Sequence, residues 1–355
     1  MTGERTLERF RDYLVGPARF MNVMSCFELG IVDALRGSGG RTADELGNQV
    51  DAAPEAIEQL MQLLVKDDLV TYDEESGRYA LAGLGALADD DLHRVLAIMK
   101  MVKTVMLRQS FHLTESVRRR RPVGLETIYG YQGNLYGALA EHDDLRRSWS
   151  TMMDAVTAHI DPWFFDNIDV ATGARVLDLA GNTGLGAILA YRAKESRGLR
   201  VATFDLPEKE AECLRNFKAH DVEEHCTFIG GDVFREVPQG FDVVLIKHFL
   251  DMFDKPQVMQ ILRNTHQALN VGGQVNILGP VYSEDIKSSS AVDFFPTYFL
   301  GCSMGQGGPQ KLSTYARWLE EAGFTVTKAV AQDPAEMPAD ALVAHGILCA
   351  TKNDR

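Results

Sequence analysis

Apolar residues Val23, Met24, Phe27, Ile31 and Leu35 recur at spacings of three and four, which predicts one amphipathic helix from Phe20 to Leu35, ended by Gly37-Ser38-Gly39-Gly40. Thr42 and Glu45 have the form of a capping box, in which the hydroxyl accepts from the Glu45 amide and the carboxylate reaches back to the cap; a short helix through Leu46 follows. Pro54 suits the first turn of a third helix, whose Ile57, Leu60, Met61, Leu64 and Val65 form one face. Leu69–Tyr72 and Arg78–Leu81 flank Asp73-Glu74-Glu75-Ser76-Gly77 and read as a hairpin. Three helices and a hairpin in that order describe a winged helix.

From about Leu92 to Ile168 the pattern is helical again, with a Met-rich face of Leu96, Met99, Val102, Val105 and Met106 that packing explains without a ligand. Arg118–Arg121 stand just before Pro122, where positive charge complements the negative end of a helix dipole; a solvated helix end and an anion site both suit the run. From Arg175 onward short apolar runs alternate with helical segments: Val176–Leu179, Leu199–Phe204, Thr227–Ile229, Val243–Ile246, Val275–Leu278 and Gly346–Ala350. Such alternation predicts an α/β fold with a doubly wound parallel sheet.

With 355 residues the chain exceeds one compact core at roughly 100–200 residues per domain, so two domains are expected. Lys and Arg number 36 against 50 Asp and Glu, and the formal charge of -14 repels phosphate backbones and anionic lipid. The third helix, the one a winged helix inserts into DNA, carries Glu55, Glu58, Asp67 and Asp68 against Lys66 alone, so no nucleic-acid partner is expected. No stretch approaches the roughly 18 apolar residues of a membrane helix and the N-terminus has no apolar signal core, which points away from membranes and towards the cytoplasm. Cys26, Cys213, Cys226, Cys302 and Cys349 lack C-x-x-C spacing and fit neither a zinc site nor a disulfide framework. No compact acidic cluster follows the fourth strand of the sheet, so no metal is expected.

The strongest chemical signal is Val176-Leu177-Asp178-Leu179-Ala180-Gly181-Asn182-Thr183-Gly184-Leu185-Gly186, a buried strand running into a glycine-rich turn and a helix. Glycine there lets a ligand approach the main chain, and the helix start offers unpaired amides to an anionic group. The order G-x-x-G-x-G differs from the dinucleotide order G-x-G-x-x-G, so the loop by itself suits either a cofactor turn or a tight structural one. Asp205 ends the next strand at a separation suited to accepting hydrogen bonds from ribose hydroxyls. In Gly230-Gly231-Asp232-Val233-Phe234, Asp232 is a candidate to meet an adenine amino group and Phe234 to lie against the ring; a loop cap and a core aromatic are the alternatives.

These motifs, with Asp242–Asp254 and LNVGGQVNIL from Leu269, resemble the class I S-adenosylmethionine-dependent small-molecule O-methyltransferases, the family of plant caffeate-type and bacterial antibiotic-pathway enzymes. The resemblance spans nearly the whole chain. It implies a Rossmann-like methyltransferase domain over 110–355 with helical acceptor-pocket segments, and a winged-helix dimerisation domain over 1–109. It places Asp178, Gly181 and Gly184 around the methionine end of the cofactor, Asp205 at the ribose, Asp232 and Val233 at the adenine and Lys247 nearby. Phe294, Phe295, Tyr298, Phe299 and Met304, with the Gly305–Gly308 turn, lie where the family builds part of its acceptor pocket.

Two positions depart from the family pattern. Ala180 stands where relatives have glycine. Lys247-His248-Phe249-Leu250-Asp251-Met252-Phe253-Asp254 aligns with K-x-x-L-H-D-W-x-D, so Asp251 occupies the place of the histidine that removes a phenolic proton. An ordinary carboxylate, with a pKa of about 3.9, is a much weaker base. Three readings stay open: burial raises the pKa of Asp251, another residue such as His248 serves, or the acceptor needs little help. Strand parity puts His248 on the face opposite Asp251 unless the chain turns between them.

The resemblance implies a homodimer that moves the methyl of S-adenosylmethionine to a small hydroxylated aromatic, phenolic or tyrosine-like, in specialised or antibiotic biosynthesis. Oxygen is the first expectation, and carbon ortho to a phenol the alternative, because both begin with deprotonation. Two further readings keep the fold and change the job: a hydroxylation, cyclisation or other rearrangement, and a metabolite-sensing DNA-binding or scaffold protein, against which the acidic third helix argues.

Overall fold

The computed structural model describes residues 3–333, 337 and 341–353, and the chain divides after Lys100 into two compact units. In the first unit the helix expected over Phe20–Leu35 is two helices, Gly3–Glu28 and Ile31–Leu35, because Gly30 between them takes φ 77°. That left-handed value cannot continue a right-handed helix. The capping box forms as expected, with Glu45 N donating to Thr42 Oγ1 at 3.2 Å and Thr42 N to Glu45 Oε2 at 3.0 Å. Pro54 opens the helix Pro54–Lys66, which buries Ile57, Met61 and Leu64. The hairpin is β1 (Val70–Asp73) against β2 (Arg78–Leu81), and Ile31, Leu46, Ile57 and Val70 share one core beneath it.

The second unit is built on a mixed sheet: β3 (Arg175–Leu179), β4 (Arg200–Asp205), β5 (Cys226–Gly230), β6 (Phe241–Lys247), β7 (Leu269–Tyr282), the short β8 (Gln310–Lys311), β9 (Phe324–Ala331) and β10 (His345–Lys352). Their order is β5-β4-β3-β6-β7-β10-β9, with β8 paired to β7. The first five are parallel, but β10 runs antiparallel to both neighbours, which corrects the all-parallel expectation. After the buried Phe324, β9 alternates exposed and half-buried residues to Ala331, the pattern of an edge strand, and so lacks the continuous apolar run that marks the central strands.

Those central runs are apolar because both faces are covered. Leu177, Leu179, Val244 and Ile277 pack with Leu262 and Leu319 on one side. Val176, Val243 and Leu245 pack with Phe164 and Ile188 on the other. Polar residues intrude on this second face at Asp178 and Asn276, which are 1% exposed. The helical part of the unit gathers Val105, Leu125, Leu135, Leu145, Tyr298 and Phe299 into a further core, and the Met-rich segment there takes π-helical geometry over Val102–Leu107.

Candidate functional site

β3 lies between β4 and β6 and the chain winds away from it in both directions, so the carboxyl ends of these strands border a topological switch point, where open α/β sheets bind ligands. The turn after β3 places Ala180, Asn182 and Gly184 in the left-handed region, at φ 57°, 48° and 81°. Ala180 takes this conformation despite its methyl group, tied by its amide to Phe204 O at 2.7 Å. Gly184 has no such latitude: a Cβ there would stand 2.5 Å from Cys213 Sγ and 2.6 Å from the Phe217 ring.

Asp205, at the end of β4, meets this turn directly. Its carboxylate accepts from Asn182 N at 2.8 Å and Leu206 N at 2.7 Å. Burial raises its pKa, against the pull of those two amides. After β5, Asp232 accepts from Phe234 N at 2.9 Å and lies 3.7 Å from Arg235 Nε, the geometry of a loop cap. Val233 is buried, its carbonyl accepting from Asn264 Nδ2 at 2.7 Å. Phe234 packs edge-on against Phe253, with ring centroids 5.2 Å apart.

Beneath the turn lies a buried charge cluster of which sequence reasoning found two members. Lys247, the last residue of β6, donates to Asp161 Oδ2 at 2.6 Å and lies 3.8 Å from Asp178 Oδ1. Burial disfavours the ammonium, but Asp161 and Asp178 outweigh it and hold the Lys247 pKa above its ordinary value. Burial pushes Asp178 up to about 6 even with Lys247 beside it. Asp161 was missed because it sits in the helix Asp143–Asn167, where one acid resembles a solvated face. Its signal was position, between Ile160 and Pro162-Trp163-Phe164-Phe165 in an otherwise apolar run.

Asp178 Oδ2 and Asp161 Oδ1 are buried and make no close hydrogen bond among the described residues, although the Ala187 amide lies near enough to the Asp178 carboxylate to pull its pKa down. Gly181 and Gly186 crowd the first of these: a Cβ on either would lie 2.5 Å from Asp178 Oδ2. A glycine cradle over a partnerless carboxylate oxygen, beside an acid at the next strand end, fits a ligand with a cationic amino-acid end and a ribose.

Where β6 ends, His248 takes φ 49°, so the chain does turn between His248 and Asp251. His248 N donates to Leu278 O at 2.8 Å, and its ring meets that of His345 at 5.1 Å between centroids. Burial, then the nearby His345 and Lys247, press its pKa well below the ordinary value. Asp251 follows in the 3₁₀ turn Leu250–Met252. Its carbonyl accepts from Gly308 N at 2.7 Å, which seats the Gly305–Gly308 turn on it. Burial pushes its carboxyl up to about 6. That carboxyl is within electrostatic reach of the hydroxyls of Tyr136, Tyr298 and Tyr315. A cavity of about 10 Å³, room for one water, lies between Asp251, Tyr315, Gly346 and Leu348.

Of the expected acceptor residues, Tyr298 is buried, accepting from Trp149 Nε1 at 3.3 Å and stacked on Phe294. Phe295 packs between Phe294 and Phe299. Met304 ends the helix Phe295–Ser303 at φ 56° and lines a separate cavity of about 440 Å³ with Arg120, Arg121, Tyr131 and Gln306. Tyr136, Trp149, Tyr315 and His345 were not singled out from sequence, because each lies in a segment whose pattern reads as ordinary packing. Among the described residues no group of three His, Cys, Asp or Glu is placed to hold a metal ion, and no helix is long and apolar enough to cross a membrane.

Comparison with known proteins gives the family. Residues 111–325 match the O-methyltransferase domain family and residues 12–88 its dimerisation domain. The chain is 30% identical over 320 residues to 3-amino-4-hydroxybenzoate 4-O-methyltransferase of Streptomyces cremeus, covering 89% of this chain and 84% of that protein. It is 23% identical over 343 residues to the L-tyrosine C(3)-methyltransferase of Streptomyces lavendulae, covering 96% and 91%. Among solved structures, human N-acetylserotonin methyltransferase in complex with SAM superposes with a TM-score of 0.82 at 19% identity, covering 99% of this chain and 100% of that one, a likeness of fold. The chain therefore belongs to the O-methyltransferase family and is an S-adenosylmethionine-dependent methyltransferase.

Proposed function

We propose that the protein, as a homodimer, methylates a small hydroxylated aromatic compound in a specialised biosynthetic pathway, with Asp251 as the general base. The observation that carries this reading is the placement of Asp251: a carboxyl with its pKa raised to about 6, lining a small cavity with Tyr315, four residues beyond the lysine of the cofactor cradle. Bound S-adenosylmethionine supplies a methyl group already activated on its sulfonium. The chain has to align an acceptor oxygen or carbon with that methyl, exclude water and take one proton. Asp251 takes the proton; Tyr298, Phe295 and the rings around them offer flat apolar contact to an aromatic acceptor, while Met304 lines a separate cavity and takes no part in that contact. Asp178, Gly181 and Gly184 hold the methionine end, Asp205 the ribose, Asp232 and Val233 the adenine.

The relative named for 4-O-methylation supports oxygen as the acceptor atom, and the relative named for tyrosine C(3)-methylation keeps carbon as the second reading. Incubation with S-adenosylmethionine and phenolic acceptors, hydroxybenzoates and tyrosine among them, separates the two. A methoxy signal in the product NMR spectrum is expected, an aryl methyl signal supports carbon, and substrate turnover without S-adenosylhomocysteine release sinks both. Sedimentation at twice the chain mass tests the dimer. Asp205→Asn is expected to weaken S-adenosylmethionine binding by about tenfold or more in calorimetry, the scale of a hydrogen bond to a charged group. Unchanged affinity would remove Asp205 from the ribose.

A further inference from the structure

The Asp161–Lys247–Asp178 cluster holds one cation between two anions, and the distances are unequal. Lys247 Nζ is 2.6 Å from Asp161 and 3.8 Å from Asp178. The ammonium is further fixed over the Phe165 ring, 5.4 Å from its centroid, on the same helix as Asp161. This leaves Asp178 Oδ2 partnerless beneath Gly181 and Gly186, where a Cβ on Gly186 would collide with both Asp178 Oδ2 and Lys247 Nζ. The lysine and that free oxygen are therefore next to each other, and a small movement of Nζ would join them.

We infer that Asp161 is a positioning residue of the cofactor site: it draws the Lys247 ammonium to its own helix, so that Asp178 keeps an oxygen and a net negative charge for the cationic end of the cofactor. The inference rests on the turn after β3 being the seat of the methionine end. Without Asp161, Lys247 has one anion left to pair with, and it closes on Asp178 and neutralises it. Asp161 also repels the charge on Asp178 directly, an effect that does not need Lys247 and whose loss would not weaken binding, so a double-mutant cycle isolates the part that runs through Lys247.

The test measures S-adenosylmethionine binding by calorimetry in the wild type, Asp161→Asn, Lys247→Met and the double variant, with thermal melts reporting folding. Asp161→Asn is expected to weaken binding about tenfold in the presence of Lys247 and less than about twofold in the Lys247→Met background, a coupling typical of residues in one network. KM for the cofactor rises accordingly while kcat at saturation changes little. Equal losses in both backgrounds, or no loss in either, overturn the inference. If Asp161→Asn alone does not fold, the Lys247→Met background decides: any clear loss of affinity on adding Asp161→Asn there overturns it, and parity is the expected result. Wild-type protein that binds no S-adenosylmethionine at all refutes the seat itself, an outcome distinct from failure of the cycle.

Discussion

Asp251→Asn is expected to lower kcat by about 10²- to 10⁴-fold, the usual contribution of a general base, while leaving S-adenosylmethionine affinity unchanged. The replacement keeps shape and removes basicity. The pH profile gives an independent sign. A base works only when deprotonated, and burial raises Asp251 to about 6, so the wild-type rate should be full above that pH and fall as pH drops through it. An ordinary aspartate would place the same limb near pH 4. In Asp251→Asn the limb should vanish along with most of the rate. A variant that retains both rate and limb removes Asp251 from the mechanism. His248→Gln is the companion measurement, because the His248 ring is pushed towards its neutral, proton-accepting form and its Nε2 has no partner among the described residues. A loss confined to that variant moves the base there.

Gly184→Ala should cost roughly 2–5 kcal/mol of stability, adding a left-handed conformation for a non-glycine residue to an overpacked core. The new Cβ has nowhere to go: Cys213 Sγ and two Phe217 ring atoms would lie within 2.5–2.9 Å of it. For a unit of this size that corresponds to a melting temperature lower by roughly 10 °C. Gly198→Ala is the control, since Gly198 has φ 61° but nothing within 4 Å of an added Cβ. It should lose only about 1–2 kcal/mol, the conformational part alone. Equal melting temperatures for the two variants would mean that the contact under the turn is soft, and the turn could not then hold a ligand in a fixed register.

The strand-end motifs were legible because each combines a local pattern with a chemical residue. Asp178, Asp205, Asp232 and Lys247 stand at or just past the end of a short apolar run, and parallel pairing carries such ends to one edge of the sheet. β9 and the direction of β10 were not legible in the same way, because a half-exposed edge strand has the composition of a loop and strand direction is set by pairing. The single helix read over Phe20–Leu35 failed at one backbone torsion, Gly30, which a hydrophobic period cannot register.

The amino-acid sequence by itself determined the winged-helix order, the apolar strands and the turn after β3, since periodicity, caps and residue type are local properties. Tertiary structure alone decided that Asp161 pairs with a lysine 86 positions away, that Asp251 shares a small cavity with Tyr315 of a separate segment, and that a carboxylate at 178 is left with a partnerless oxygen. Burial and proximity in space set these charges and their proton affinities, and neither quantity exists until the helices have packed against the sheet.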